Sequence, residues 1–216
     1  MLVLAMHDAL TDMLAMEVVI GWNVDLPSLQ TGASMSSSDL DQDLFATVKP
    51  CDACIVTIVQ AAIKTPLPAT YIAHTDNIAV RIFKAKLPYQ LNQLIPPDSI
   101  VMGFAYRDKQ NVSKLGLFDC VRMNGQNVYA LPPMKRHVML HECWFGLEQK
   151  SRLDSLPQLL EAFSHVSVHW CGELRSCVAI KQQEVPFYYE NFMLIPDELQ
   201  ENKPTHFKVI KPIDCE

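Results

Sequence analysis

The dipeptide Asn124-Gly125, set between two apolar runs, is the sequence feature that most constrains the fold. A two-residue hairpin loop needs positive φ at both of its residues, and Asn and Gly tolerate that conformation better than other residues do. We therefore predict that residues 118–123 pair with residues 126–131 as an antiparallel hairpin. The chain then contains at least one β-ribbon, and its other patterns are interpreted around it.

Runs of β-branched and aromatic residues between turn residues predict further strands. These lie at residues 70–73, 78–84, 99–106, 115–122, 127–131, 137–143, 165–170, 175–181 and 207–210. Pro-Pro pairs at 96–97 and 132–133 separate several of these runs. Most connections are short enough to join antiparallel neighbours, which favours a largely antiparallel sheet.

Helices are predicted mainly near the N-terminus. Residues 2–20 carry apolar side chains at three- and four-residue steps, as an amphipathic helix does. Ser38, followed by acidic residues, indicates the N-cap of a helix that runs to about Val48. Pro50 suits the first turn of a helix over residues 51–64, although the β-branched run 55–59 leaves a strand as the alternative.

A further helix is predicted over residues 153–163, between two of the strands. The order of elements predicts an α+β fold. N-terminal helices are followed by a mixed, largely antiparallel β-sheet, or a partly open barrel, with one inserted helix.

The N-terminal part differs from the rest in charge and composition. Residues 1–50 hold seven acidic residues against one lysine, which accounts for the whole net charge of −6. Residues 21–38 are rich in Pro, Gly, Ser and Thr, as a loop or linker is. We predict an acidic, Met-rich helical arm and linker over residues 1–38, and a single α+β domain over residues 39–216.

Charge and cysteine usage exclude several classes of function. A net charge of −6 offers no basic surface for phosphate backbones, so we expect no nucleic-acid partner. Acidic residues interrupt the apolar stretch 1–20, which predicts neither a secretory signal nor insertion in a membrane. Seven cysteines, an odd number without close pairing, favour the reducing cytoplasm over a disulfide framework.

Two near-copies of one heptapeptide, at 137–143 and 165–171, each end in His-x-Cys. If both are strands and lie side by side, four side chains form a Cys2His2 set suited to a structural zinc ion. These candidate metal ligands are His141, Cys143, His169 and Cys171. On a helix, His137 and His141 would converge instead while Cys143 faced away. The interpretation that the sequence favours is simpler: these are ordinary half-buried core residues.

A cysteine hydrolase or amidase is the alternative function. A cysteine in the first turn of a helix has a lowered thiol pKa, and Cys54 occupies that place if residues 51–64 are helical. Cys54 is then the candidate nucleophile, with Cys51 as a less favoured alternative. His137 or His141 is the candidate base, and the residues that could orient the imidazole are Asp119, Glu142 and Asn127. Asp52 opposes this assignment, because a neighbouring negative charge raises a thiol pKa.

The leading hypothesis is a non-enzymatic, cysteine-rich cytoplasmic module that binds another protein or a second copy of itself. The absence of cofactor loops and of an intact catalytic signature supports it. The predicted contact residues lie in the arm and are Leu2, Met6, Leu10, Met13 and Met16. Four aromatic residues are able to line a pocket, Trp144, Trp170, Tyr188 and Tyr189, although aromatic residues beside strands usually belong to the core.

Overall fold

A computed structural model describes residues 28–60, 70–75, 80–84, 95–153, 165–197, 199 and 206–211. Their strands are β1 (Ser28–Ser34), β2 (Phe45–Pro50), β3 (Cys54–Gln60), β4 (Thr70–Thr75), β5 (Val80–Lys84), β6 (Ser99–Arg107), β7 (Ser113–Met123), β8 (Gln126–Asn127), β9 (Val166–Val168), β10 (Cys171–Glu173), β11 (Tyr189–Leu194) and β12 (His206–Lys211). The helices are α1 (Ser37–Leu40), α2 (Pro133–Leu153) and α3 (Leu174–Ala179), with a 3-10 turn at Gln182–Glu184. The predicted α+β class is confirmed.

The described strands form two sheets. The small sheet has the order β1-β12-β11-β2-β10, and the large sheet has the order β5-β4-β3-β6-β7-β8, with β9 beside β7. The β1–β12 and β7–β9 pairs are parallel, and the other described pairs are antiparallel. This arrangement confirms the prediction of a mixed, largely antiparallel architecture.

Two apolar cores separate three layers. The first core lies between the sheets, since it combines Phe45 and Phe192 of the small sheet with Phe104 and Phe118 of the large sheet. The second core lies on the other face of the large sheet, under α2. It includes Val56 and Ile58 of β3, Val101 of β6, Leu115 and Leu117 of β7, and Leu140 and Trp144 of α2. The small sheet, the large sheet and α2 are therefore stacked in that order.

The Asn124-Gly125 hairpin is present as predicted. Both residues have positive φ, 49° and 80°. Arg122 pairs with Asn127, and Met123 with Gln126. The ladder ends there, because β8 has two residues and the chain turns again at Leu131, whose N–H donates to the Val128 carbonyl at 2.9 Å.

The strands predicted at 70–73, 78–84, 99–106, 115–122 and 207–210 are confirmed as β4, β5, β6, β7 and β12, with small shifts of their ends. The run at 165–170 contains the shorter β9. Of the run at 127–131, only Asn127 belongs to a strand. Runs of β-branched and aromatic residues between turn residues therefore predicted these strands.

Two predicted helices are strands. Residues 39–48 give only the one-turn α1, capped at Ser36, before β2 begins at Phe45. Residues 45–48 are all buried, and β2 lies between β10 and β11 in the small sheet. A strand that is buried on both faces lacks the alternation of apolar and polar residues, so its sequence is easily taken for a buried helix. For residues 51–64 the alternative is confirmed: a turn at Cys51-Asp52, with Asp52 at φ 55°, leads into β3.

Two predicted strands are helices. Residues 137–143 lie inside α2, which begins at Pro133, a residue suited to the first helical position. Arg136, Leu140 and Trp144 are buried at four-residue spacing, as one helix face requires. The run 175–181 is mostly α3, in which Leu174 and Cys177 are buried three residues apart.

Helix α2 is fixed to β7 by a buried ion pair. Arg136 donates from Nε and Nη2 to the two carboxylate oxygens of Asp119, both at 2.9 Å, and both side chains are 0% exposed. Its remaining donors bond to the carbonyls of Leu131, Pro196 and Asp197. Burial raises the pKa of the Asp119 carboxyl, and Arg136 opposes that shift.

Several predictions fall outside the described residues. They are the helix at 2–20, the contact residues Leu2, Met6, Leu10, Met13 and Met16, and the helix at 153–163 beyond Leu153. The stretch 21–38, predicted as a linker, contains β1 in its described part. The division into residues 1–38 and 39–216 stays a prediction. Among the described helices, none is long and apolar enough to cross a membrane.

Candidate ligand-binding site

A pocket of about 430 Å³ opens at one end of the two-sheet sandwich. Val48 of β2 and Tyr106 of β6 contribute to it from the two sheets. One wall is the segment 167–170, at the end of β9, and the other is the segment 180–187, between α3 and β11. Its walls are mainly apolar and aromatic, with a few polar groups, as in ligand pockets of proteins.

Four aromatic rings pack at the inner end of the pocket. The ring of His169 stacks on Phe187, with centroids 5.0 Å apart and an interplanar angle of 27°. It meets the rings of Phe104 and Tyr106 edge-on, at 5.3 and 6.1 Å. Tyr106 also meets Phe187 edge-on at 5.2 Å. Each of these pairs has the geometry that the ring quadrupole favours, so the cluster holds its shape without a ligand.

His169 is neutral and has a fixed tautomer. Its Nε2 lies 2.8 Å from the Val48 carbonyl, which only accepts, so Nε2 carries the proton and Nδ1 is left as an acceptor. Burial lowers the pKa of His169 to about 4. The ring fits because residue 116 is glycine: a Cβ there would lie 2.7 Å from Nδ1.

Trp170 presents its indole at the rim of the pocket. The Thr47 hydroxyl donates to its backbone carbonyl at 2.7 Å, which fixes the main chain. The indole lies against Gly172, where a Cβ would come within 3.1 Å of two ring atoms. The side chain nevertheless remains 45% exposed. Glycine at 172 therefore lets a large aromatic surface lie close to the backbone while part of it faces solvent.

The opposite wall is held by backbone hydrogen bonds. The Lys109 ammonium donates to the carbonyls of Gln182 and Val185, and the Lys109 N–H donates to the Pro186 carbonyl at 2.8 Å. Tyr189 donates its hydroxyl to the Ile180 carbonyl. A segment with so many of its carbonyls bonded has its shape set before any ligand arrives.

Glu184 is the one charged side chain among the described residues that line the pocket. Its Oε2 accepts the Lys181 N–H at 3.0 Å, the capping contact of the 3-10 turn. A carboxylate has lone pairs for several donors, so this bond leaves acceptor capacity for a ligand.

The four predicted zinc ligands do not meet. His141 and Cys143 lie on α2, and Cys143 packs toward the second core. Cys171 belongs to the first core, and His169 packs on Phe104 of that core, so Cys143 and these two residues belong to different clusters. Among the described residues no group of three or more His, Cys, Asp or Glu side chains is placed to hold a metal ion. The geometry thus gives no support to zinc at these four positions.

The helical alternative for the first heptapeptide is also clear in the structure. The rings of His137 and His141 lie on α2 with centroids 6.5 Å apart. The Nδ1 of His137 lies 3.3 Å from the Phe118 carbonyl, and burial lowers the pKa of this histidine. Burial raises the pKa of the Cys143 and Cys171 thiols, which therefore pack as small apolar groups.

Among its described residues, the structure does not contain the helix on which the cysteine hydrolase hypothesis depended. Cys54 begins strand β3, so it does not stand in the first turn of a helix, the position on which the hypothesis depends. The Cys51 pKa is raised, first by burial and then by Glu190 and Asp52. His137 faces the Phe118 carbonyl on β7, and strand β6 separates β7 from β3. Asp119, a candidate to orient the histidine, bonds Arg136 instead.

Sequence reasoning identified one residue of the pocket and missed the others. Trp170 was named as an aromatic able to line a pocket, and it does so. Tyr106, Phe187 and Glu184 were not named, because their positions in the chain are far apart and carry no shared motif. The Trp170-Cys171-Gly172 sequence was the available signal, since a glycine beside an aromatic residue marks a close approach to the backbone.

No model of a protein family matches the chain, and no curated protein resembles it significantly. Among solved structures, the chain is similar to the ligase domain of LigD from M. tuberculosis, with 12% identity and a TM-score of 0.46, over 88% of this chain and 59% of that one. It is also similar to a mycobacterial DNA ligase D complexed with ATP and MES, with 12% identity and a TM-score of 0.44, over 88% of this chain and 60% of that one. The chain spans about three fifths of these domains.

Two predictions are corrected at this point. The chain was predicted to be a non-enzymatic adaptor that binds another protein, and nucleic acid was excluded as a partner. Neither prediction is retained: the two structural neighbours are described as a ligase domain and a DNA ligase, and neither of them is an adaptor. The exclusion of nucleic acid used the net charge of the whole chain, which does not report how charge is distributed on a surface. With TM-scores below 0.5, the likeness assigns neither an activity nor a substrate to this chain.

Proposed function

We propose that this protein binds a small organic molecule with a flat apolar group in the pocket between residues 167–170 and 180–187. The observation that carries the proposal is the pocket itself, about 430 Å³ in volume, aromatic at its inner end and fixed by hydrogen bonds on both walls. Ligand pockets in proteins are about 300–1,000 Å³ and mostly apolar with a few placed polar groups.

Trp170 is the one exposed large hydrophobic residue among the described residues that line the pocket. Its indole is 45% exposed, so a flat ligand that stacks on it removes aromatic area from water on both partners. An aromatic pair contributes about 0.5–1.5 kcal/mol beyond area burial. Because Gly172 and the Thr47 hydroxyl already position this residue, little ordering opposes binding.

Titration with 2-naphthol, a neutral flat aromatic molecule, tests the proposal by saturation-transfer NMR on the full chain. We expect binding to the natural protein and an affinity about tenfold lower in Trp170→Ala, since an aromatic contact and its buried area are lost. Phe145→Ala is the matched control, because Phe145 is 53% exposed on α2, outside the pocket. No binding of 2-naphthol, or equal loss in both variants, would overturn the proposal.

We also propose a cytoplasmic location. Cys51, Cys120, Cys143, Cys171 and Cys177 are free thiols, and Cys120, Cys171 and Cys177 are buried. Burial raises the pKa of Cys177 to about 12, so its thiol stays protonated and packs as an apolar group. A reducing compartment preserves such thiols.

A further inference from the structure

The pocket lining carries a net negative charge. Among its described residues, Glu184 carries a carboxylate and no side chain is cationic, since His169 is neutral. The Lys109 ammonium, on the adjoining wall, does not line the pocket and is bonded to the carbonyls of Gln182 and Val185. A ligand anion would therefore meet no cationic side chain in this lining and one carboxylate.

The aromatic rings favour a particular kind of cation. The face of an aromatic ring is negative and attracts a cation within about 6 Å of its centroid, and Trp is the strongest of the three ring types. All three rings line the pocket, and Trp170 is partly exposed whereas Tyr106 and Phe187 are buried. A methylated ammonium spreads its charge over methyl groups and is weakly hydrated, so it enters such an apolar site at lower desolvation cost than a primary ammonium.

We infer that the ligand of this pocket carries a methylated ammonium group, held by the face of Trp170 and the carboxylate of Glu184. This inference rests on the proposed function and names the chemical class of the ligand. Trp170 provides contact to the methyl groups, and Glu184 balances the charge. Glu184 is a specificity determinant rather than a source of bulk affinity, because an exposed ion pair contributes little.

A matched pair of probes separates charge from shape. Choline and 3,3-dimethyl-1-butanol have nearly the same shape, but a neutral carbon replaces the ammonium nitrogen in the second. By saturation-transfer NMR titration at low salt, we expect choline to bind about tenfold more tightly than the alcohol. Added salt should reduce this preference, since screening weakens the contribution of Glu184.

Three variants locate the effect. Glu184→Gln keeps an oxygen for the Lys181 N–H and removes the charge, so the preference for choline should fall while binding of the alcohol is unchanged. Glu142→Gln, on the exposed surface of α2, changes the net charge equally and should have no effect. Gly172→Ala adds a Cβ 3.1 Å from the indole and should weaken choline binding through displacement of Trp170, with the unfolding midpoint nearly unchanged.

Each outcome decides a different claim. Equal binding of choline and the alcohol, or a preference that Glu184→Gln leaves intact, overturns the inference and leaves the proposed function standing. Binding of 2-naphthol without any binding of choline does the same. If neither probe nor 2-naphthol binds, the inference and the proposed function both fail.

Discussion

The hydroxyl of Thr57 is buried and has no hydrogen-bond partner among the described residues. The residue is 1% exposed on β3, opposite Met102 of β6. A buried polar group left unbonded costs about 1–3 kcal/mol. Thr47 of β2 is equally buried, but its hydroxyl donates to the Trp170 carbonyl at 2.7 Å. The two threonines therefore differ in partner and not in burial.

Replacement of each threonine by valine should change stability in opposite directions. Thr57→Val removes an unbonded hydroxyl, and we expect the free energy of unfolding to rise by about 1 kcal/mol. Thr47→Val leaves the Trp170 carbonyl without its donor, and we expect a fall of about 1–2 kcal/mol. Urea unfolding followed by far-UV circular dichroism measures both. A loss of stability in Thr57→Val would show that its hydroxyl is bonded after all.

His169 makes stability depend on pH below neutrality. Its pKa is about 4 in the folded protein, against an ordinary value of 6.5. Between these values the unfolded chain binds a proton that the folded chain does not, so unfolding is favoured as pH falls. The shift corresponds to roughly 3 kcal/mol lost from pH 6.5 down to pH 4.

Comparison with His169→Phe isolates this contribution. Phenylalanine keeps a ring for the contacts with Phe104 and Phe187 and has no titratable group. We expect the variant to be less stable near pH 7, because the Val48 carbonyl loses its donor, and its stability to fall less steeply between pH 6.5 and 4. Parallel pH profiles for the two proteins would contradict the assignment.

At the scale of elements, the sequence predicted strands with turn residues at their ends better than it predicted helices. The hairpin at Asn124-Gly125 has a local cause, the backbone conformation of two residues, and was predictable for that reason. Residues 137–143 were assigned to a strand because β-branched residues such as Val138 favour strands. Burial instead follows the four-residue spacing of a helix, from Arg136 to Leu140. Whether a segment adopts the two-residue period of a strand or the helical period depends on the sheet against which it packs.

The ion pair that anchors α2 was not predictable from sequence. Asp119 and Arg136 lie 17 residues apart on different elements. The sequence alone does not distinguish an arginine that is buried in a helix from one that is exposed to solvent. The partly exposed pair of Asp98 and Arg122 has the same bidentate geometry, at 3.0 and 2.8 Å, with side chains 26% and 30% exposed. The two pairs differ in their access to water.

Loss of one carboxylate charge should therefore have unequal effects. Asp119→Asn leaves the Arg136 charge buried without a counter-ion, and we expect about 3–5 kcal/mol of destabilisation. Asp98→Asn should cost about 1 kcal/mol or less, because solvent replaces the lost charge interaction, and asparagine tolerates the positive φ of 55° at this position. Thermal unfolding of both variants makes the comparison. Similar losses in the two would mean that burial does not set the strength of the α2 anchor.

At the scale of the whole molecule, the class of fold followed from the succession of patterns, and the pocket did not. The pocket joins β2, β6, the end of β9 and the segment 180–187, which no sequence motif connects. Such a site exists only after two sheets have packed face to face. The histidines and cysteines that attracted attention in the sequence were instead distributed between two cores by the large sheet.

Two consecutive residues of strand β2 form hydrogen bonds with the pocket wall at residues 167–170. The Thr47 hydroxyl holds the main chain of Trp170, and the Val48 carbonyl holds the ring of His169. A pairing error of one position would carry both groups about 3.3 Å along the strand and turn the threonine to the opposite face. Misregistered chains would then lack the recognition surface altogether. Affinity for a ligand would in that way report the fraction of molecules in which strand β2 has paired correctly.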